Sequence, residues 1–442
     1  MKYKQFLFLL LPLIWFSQPL HSQIEKTGTV SKVGREDIKK ELQSDYYERL
    51  YSKTYYSLIG RMRGDGYLPE SLTGAYSGMF PRTTGAYVLL LIEAGQYDAA
   101  EQNIRYILKS LENNDMERIP RVLGPDYNIE DDQFQIDGHA HVVLAWARLA
   151  LARGRNPFEN QTWKQVRALM KFATSRAFFL HGHWYGHWSI EPNLVRNTAF
   201  EHSKDARMWD AFDLLTQSFV GAALTDMIQI AERQGDPKTA EHWTQQLKLL
   251  SDGIRKNLTT DHYGITTYSE MLIPDGDAGV PYNGLGWVTL SPVAAGWEGV
   301  EHQILKNTVA VMNEKLLKHS NGVTWMPTDG YPDGSFSNEI IGKGIGWEID
   351  FANSENDIKR LKEILHMIRI VNTDHPIYME GAWLQGDNYS QNKRLHETDI
   401  PKMKSTVWKV KDAGNGEQTA WWCWAMARLR KSVGLSAQPK RF

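Results

Sequence analysis

Along most of the chain, apolar residues recur at the three-to-four-residue spacing of an α-helix, and the runs stop at Gly, Pro or Asp. The stretches LIEAGQYDAAEQNIRYIL and QIAERQGDPKTAEHWTQQL follow one plan. In each, an apolar helix meets a Gly-containing turn, an Asp stands near the next helix start, and a second helix follows. Glycine takes the left-handed conformation that closes a helix, and Asp complements the positive end of the next helix dipole. The unit is an αα-hairpin. The same spacing predicts helices over Asp37–Met62, Ala86–Glu93, Asp98–Leu111, His139–Arg153, Gln161–Phe179, Leu214–Arg233, Pro237–Leu258, Glu301–Leu317, Glu355–Val371 and Thr419–Val433. Three stretches lack a period and are rich in Gly, Pro, Tyr and Asp: Thr259–Glu298, Asn321–Phe351 and Tyr378–Asn415. Long irregular stretches inside a compact chain usually carry function. No βαβ alternation or regular strand spacing is present. The pattern predicts an all-α fold, a closed toroid of helical hairpins whose long loops form a cleft at one end. A tetratricopeptide-like solenoid would show a strict period of about 34 residues, which is missing.

The ends and the composition narrow the class of function. Residues 1–22 have the make-up of a secretory signal, with Lys2 and Lys4, an apolar run from Phe6 to Phe16, and Ser22 before the cut. No later segment reaches the ~18 uninterrupted apolar residues of a membrane helix. The expectation is an exported protein, periplasmic or secreted, with residues 23–442 forming one domain that does not contact a membrane after cleavage. Of 442 residues, 50 are Lys or Arg and 52 Asp or Glu, a net charge of -2, so no basic excess exists to neutralise nucleic-acid phosphates. A hydrophobic content of 42% excludes a largely disordered chain. The lone Cys423 excludes intrachain disulfides and multi-cysteine metal sites, and its setting among helix tryptophans predicts a core position. The 16 tryptophans weight the reading toward flat apolar ligands such as sugar rings, whose C–H faces stack on indole.

Several clusters combine residue types that can do chemistry. Arg82 follows Pro81 ahead of an apolar helix, where a guanidinium can donate two parallel hydrogen bonds to vicinal hydroxyls or a carboxylate. A helix-capping turn explains the same residues. Asp137 and His139 lie in a polar stretch at the start of another apolar helix; Asp137 can cap that helix or contact sugar. The run His181-Gly182-His183-Trp184-Tyr185-Gly186-His187-Trp188 fits no standard zinc spacing, so no metal site is assigned, and Trp184 and Trp188 suit sugar stacking. Glu201, Asp205 and Arg207 fall in one charged loop flanked by Phe200 and Trp209. An apolar surround raises a carboxyl's pKa and keeps its proton available, as a general acid requires. Glu380 lies in an aromatic segment with Trp383, Glu348 stands beside Trp347, and Glu417 precedes the terminal aromatic helix, where a favourable charge at the helix N-terminus explains it without any catalytic role. Two carboxylates flanking a glycosidic bond suffice for hydrolysis without metal or cofactor.

In order along the chain, these clusters resemble the six-hairpin (α/α)6 glycoside hydrolases, nearest the glucoamylase-like family. FPRTTGAYVLLLIEAGQYDAA is similar to that family's Trp-Pro-Arg-Asp-Ala-Ala helix start, and FQIDGHAHVVLAW to its Gln-Leu-Asp-x-x-Gly motif. FEHSKDARMWDAFDLLTQSFVGAALTDMIQIAERQGD resembles its Trp-Glu-Glu segment, and MEGAWL with the helix from Thr419 resembles its late Glu and final Trp-bearing helix. The resemblance runs from about Tyr76 to Leu435. It implies an (α/α)6 toroid, with Glu201 as general acid, Glu380 as general base, Glu417 as second choice for the base because a long insertion interrupts the late motif, and Arg82 and Asp137 holding the sugar. Thr83 departs from the pattern, which has Asp after Arg, and this argues against terminal α-glucose in favour of a uronic acid or deoxy sugar.

The expectation is an inverting glycoside hydrolase acting on an oligosaccharide or polysaccharide, with no cofactor. Its catalytic pair is Glu201 and Glu380, and its substrate contacts are Arg82, Asp137, His139, Trp184, Trp188, Asp205, Arg207, Trp347 and Trp383. Two alternatives stay open: a polysaccharide lyase, in which Arg82 pairs a uronate and His or Tyr removes a proton, and a non-catalytic glycan-binding relative. Eight tryptophans fall in the irregular stretches, Trp184, Trp188, Trp287, Trp297, Trp325, Trp347, Trp383 and Trp408, and some of them are expected to line the cleft beside the two glutamates.

Overall fold

A computed structural model describes residues 33–175, 192–197, 212–262, 264–275, 278–297, 299, 301–386 and 393–442. After a helical segment at 33–42, its helices run in order α1 (Asp45–Arg61), α2 (Pro81–Glu93), α3 (Tyr97–Asn113), α4 (Ile136–Arg153), α5 (Pro157–Ala173) and α6 (Leu214–Arg233). They continue as α7 (Pro237–Asn257), α8 (Ser291–Ala295), α9 (His302–Lys315), α10 (Gly342–Ser354), α11 (Ile358–Val371) and α12 (Gly416–Ser432).

Two kinds of helix alternate. In α2 every residue from Pro81 to Leu91 is buried, and α4, α6, α10 and α12 are buried almost all round. Helices apolar on every side belong in an interior. By contrast, α3 buries Ala100, Ile104, Ile107, Leu108 and Leu111, a single stripe, and turns its charged residues outward. The inner helices pack α2 on α4, α4 on α6, α6 on α8, α8 on α10, α10 on α12, and α12 back on α2, so their adjacency closes into a ring. Outer helices cover it: α3 lies on α2, α5 on α4, α7 on α6, α11 on α10 and α1 on α12. The fifth hairpin is irregular, because α8 is short and α9 packs instead on the turn Trp287–Leu290 that precedes it. This is the (α/α)6 toroid. The hairpin turns follow the expected chemistry, with Gly95 and Gly235 at φ of 70° and 76° and the Asp236 carboxylate accepting from the Thr239 amide.

The structure corrects the sequence reading in three places. The helix expected over Asp37–Met62 breaks after residue 42, and a new helix starts at Asp45 after Ser44, whose backbone is extended. The stretch Asn321–Phe351, read as irregular, contains α10, so the helix expected from Glu355 begins only at Ile358. Its opening sequence GKGIG has too few side chains to show a period. The glycines answer a packing need: a Cβ on Gly346 would lie 3.0 Å from the Trp421 carbonyl oxygen, and one on Gly342 2.7 Å from that of Met379. Of the tryptophans from the irregular stretches, Trp325 and Trp347 are fully buried, and Trp287 and Trp297 nearly so; Trp347 packs against both Trp287 and Trp421. These indoles are core, as is Cys423.

Short antiparallel strands sit where the chain enters the inner helices. β1 (Pro120–Leu123) and β2 (Ile129–Phe134) form a hairpin ahead of α4. β3 (Glu339–Ile341) leads directly into α10 and pairs with β4 (Gly381–Gln385), which pairs in turn with β5 (Val407–Lys411).

Candidate active site

The first turns of the inner helices meet at one end of the toroid. Pro81 presets the start of α2 and places Arg82 in its first turn. Arg82 Nη1 donates to Asp137 Oδ2 in the first turn of α4 (3.1 Å), and Arg82 Nε lies 3.3 Å from Glu417 Oε1 at the start of α12. Lys343, at the start of α10, donates from Nζ to the same Glu417 oxygen at 2.8 Å and lies 4.4 Å over the Trp287 ring. Asn197 Nδ2 donates to the other Asp137 oxygen at 3.1 Å. Cations at helix N-termini oppose the helix dipole, and buried charges need partners; Asp137 and Glu417 meet both demands. Burial pushes the Glu417 carboxyl up, but Arg82 and Lys343 outweigh it and hold the group below the ordinary glutamate value.

Thr83, the departure from the resembled motif, has a carboxylate beside it after all. Its hydroxyl donates to Glu70 Oε2 at 2.5 Å, and the Glu417 amide donates to Glu70 Oε1 at 2.9 Å. Glu70 is buried, and desolvation pushes its pKa up to about 7. A carboxyl that holds its proton more tightly when folded stabilises the fold below its ordinary pKa, and that contribution is lost as pH rises through the folded value. Glu70→Gln is therefore expected to flatten the loss of stability between pH ~5 and ~8 by about 1–3 kcal/mol. Urea unfolding at the two pH values measures it, and an unchanged difference counts against the assignment. Asp213, the buried cap of α6, is likewise pushed up to about 7 by burial and by the charge of Asp137, and it contributes equally in parent and variant.

Glu380 lies beside this cluster, immediately before β4. Its carbonyl accepts from the Gly342 amide at the start of α10 (2.7 Å), and its amide donates to the Lys411 carbonyl (3.1 Å). Tyr76 donates from its hydroxyl to Glu380 Oε1 at 3.0 Å, and Lys411 Nζ lies 2.8 Å from the same oxygen. Glu380 Oε2 is buried and takes no hydrogen bond among the described residues. Tyr76 is held in place from both sides: its ring meets the edge of Phe80, and Ser71 and Thr73 on its own loop donate to Asp412, the residue after β5. Burial and the Glu380 charge push the Tyr76 phenol up to about 12. Sequence reasoning gave no role to Tyr76, Lys411, Lys343 or Glu70; only Tyr76 stood at the edge of a recognised motif.

The other expected site residues divide into three groups. Glu201, Trp184, Trp188, Asp205 and Arg207 lie outside the described residues. His139 and Trp347 are corrected from substrate contacts to packing residues. His139 is fully buried, its Nε2 is 2.8 Å from the Leu169 carbonyl and its Nδ1 accepts from the Ile119 amide, while Trp347 sits in the indole cluster of the ring. Glu348 makes a buried pair with Arg360 at 2.6 Å. Trp383 is half-buried on β4, across from Glu339 and Lys409. Arg82 and Asp137 are brought together, but as partners of each other. No group of three His, Cys, Asp or Glu side chains with metal-binding geometry occurs among the described residues.

The ring of hairpins defines an (α/α)6 toroid protein with a carboxylate-bearing end. No protein-family model and no curated protein matches the chain. Solved structures share its fold. A wild-type glycosidase superposes with a TM-score of 0.58 at 12% identity over 88% of this chain and 98% of its own. A bacterial glucoamylase, solved with acarbose, gives a TM-score of 0.60 at 15% identity over 88% of this chain and 56% of its own. A metal-independent α-mannosidase of Streptococcus pneumoniae, solved with α-1,6-mannobiose, gives 0.58 at 10% identity over 93% and 98%.

Proposed function

We propose that the protein is an exported glycoside hydrolase that cleaves an oligosaccharide or polysaccharide with inversion at the anomeric carbon. Glu201 gives its proton to the leaving oxygen, and Glu380 takes a proton from the attacking water on the opposite face. The observation that carries this reading is the state of Glu380. One oxygen is held by Tyr76 and Lys411, and the other has no hydrogen bond among the described residues. A general base needs an oxygen not taken up by other donors and held in a fixed orientation. Glu417 suits the role less, because Arg82 and Lys343, both buried, share its Oε1 as their counter-ion and hold the carboxyl below the ordinary glutamate value, which makes it a poorer proton acceptor. The likeness of fold to glycosidases that bind acarbose and mannobiose supports a carbohydrate substrate. Hydrolysis is favoured over a lyase reaction because the Arg82 guanidinium is committed to Asp137 and Glu417, which disfavours its pairing with a uronate. The same saturation argues for an uncharged sugar rather than a uronic acid. Export rests on the signal-like residues 1–22.

A glycan panel tests the proposal. The purified protein is incubated with α- and β-linked gluco- and manno-oligosaccharides and with polyuronates, and products are followed by chromatography and proton NMR. The expected result is release from an uncharged glycan with the first-formed product in the opposite anomeric configuration. Ultraviolet absorbance of an unsaturated uronate overturns hydrolysis, a retained anomer overturns inversion, and sugar affinity without turnover overturns the enzyme reading.

A further inference from the structure

The stretch that interrupts the late motif of this chain begins at β4, directly after Glu380, and ends at β5. The two strands are antiparallel, and Gly381 pairs with Lys411. The excursion therefore returns a lysine to the glutamate it left. Lys411 Nζ lies 2.8 Å from Glu380 Oε1, the oxygen that also accepts from Tyr76. The Glu380 side chain is 12% exposed, against 41% for that of Lys411, so the ammonium reaches inward from the more exposed side. Two donors on one oxygen lock the carboxylate rotamer and leave Oε2 unbonded.

We infer that Lys411 is a positioning residue for the base: it pins Oε1 of Glu380 and reserves Oε2 for the water proton. The inference rests on the assignment of Glu380 as base. The charged and titratable groups around the pair are Tyr76 from the loop ahead of α2, Glu339 on β3 and Asp412 after β5. Lys343, next to Gly342, turns its ammonium to Glu417 instead. Among the described residues bonded to Glu380, Lys411 is the one that carries positive charge. Burial lowers the Lys411 pKa, but the hydrogen bond and charge of Glu380 outweigh it, so the net shift is upward, which is the reciprocal sign of the same pairing.

Lys411→Met and Lys411→Arg test the idea on a glycan cleaved by the parent. In Lys411→Met kcat is expected to fall roughly tenfold with KM within about threefold, the split of a base that has lost its orientation but not the substrate's binding. Lys411→Arg restores a charged donor to Oε1 and is expected to restore most of kcat. A Lys411→Met enzyme with the parent's kcat, or a Lys411→Arg enzyme no better than Lys411→Met, overturns the inference. A second readout needs no substrate: the Lys411 Nζ resonance, assigned by its loss in Lys411→Met, is titrated by NMR in parent and Glu380→Gln. The pKa it reports is expected to be lower in Glu380→Gln than in the parent, and no change overturns the pairing. The two levels fail differently. If Glu380→Gln keeps turnover, the base assignment falls and takes this inference with it. If Glu380→Gln is inactive and Lys411→Met behaves as the parent, only Lys411 is wrongly placed.

Discussion

Glu380→Gln and Glu201→Gln are each expected to lower kcat by roughly 10²–10⁴-fold while leaving the folded protein intact. Glutamine keeps the shape of the side chain but can neither take a proton from water nor give one to a leaving oxygen. For Glu380 the amide can still accept from Tyr76 and Lys411, so the surrounding hydrogen bonds survive and the loss falls on chemistry. Glu417→Gln is the contrast. Its carboxylate neutralises Arg82 and Lys343, so it is expected to lose stability first. Steady-state kinetics beside urea unfolding of the three variants separates these cases. Turnover of Glu380→Gln within a few-fold of the parent, together with a stable but inactive Glu417→Gln, would transfer the base role to Glu417.

Arg82→Met is expected to cost about 3–5 kcal/mol of stability, because removing one partner leaves a buried charge uncompensated. Among the described residues, Asp137 would keep the Asn197 amide and Glu417 the Lys343 ammonium. The Arg82 and Asp137 side chains are 7% and 1% exposed, so water cannot make good the loss. The double variant Arg82→Met with Asp137→Asn is expected to be less destabilised than the sum of the two single changes, since the second removes the orphaned charge. Urea unfolding of the four proteins measures this. Strict additivity, or a single-variant cost below about 1 kcal/mol, would mean that the cluster is not a coupled unit.

Local pattern was enough to read the hairpins, their glycine turns and the bounds of α6, since a helix start, a stop and an apolar face each depend on residues within a few turns. It failed at α10. There glycines that allow close approach to α12 remove the side chains from which a period is read. Tryptophan content misled for a related reason. Its indoles in aperiodic segments looked like a cleft lining, yet Trp287, Trp297, Trp325 and Trp347 fill the core, because large apolar rings pack wherever the ring of helices leaves volume.

The sequence by itself determined an all-α chain of hairpins and singled out Arg82, Asp137, Glu380 and Glu417 as charges placed at helix starts or in aromatic loops. Which of these charges serve each other was decided only by tertiary structure. Closure of the ring brings the first turns of α2, α4, α10 and α12 to one end, and there Arg82 becomes the partner of Asp137 and Glu417. The β4–β5 pairing brings Lys411 to Glu380, and the loop before α2 brings Tyr76. These contacts join residues far apart in the chain, and no local periodicity records them. The physical reason is that a buried charge must find an opposite charge or donor from whatever segment the fold places beside it.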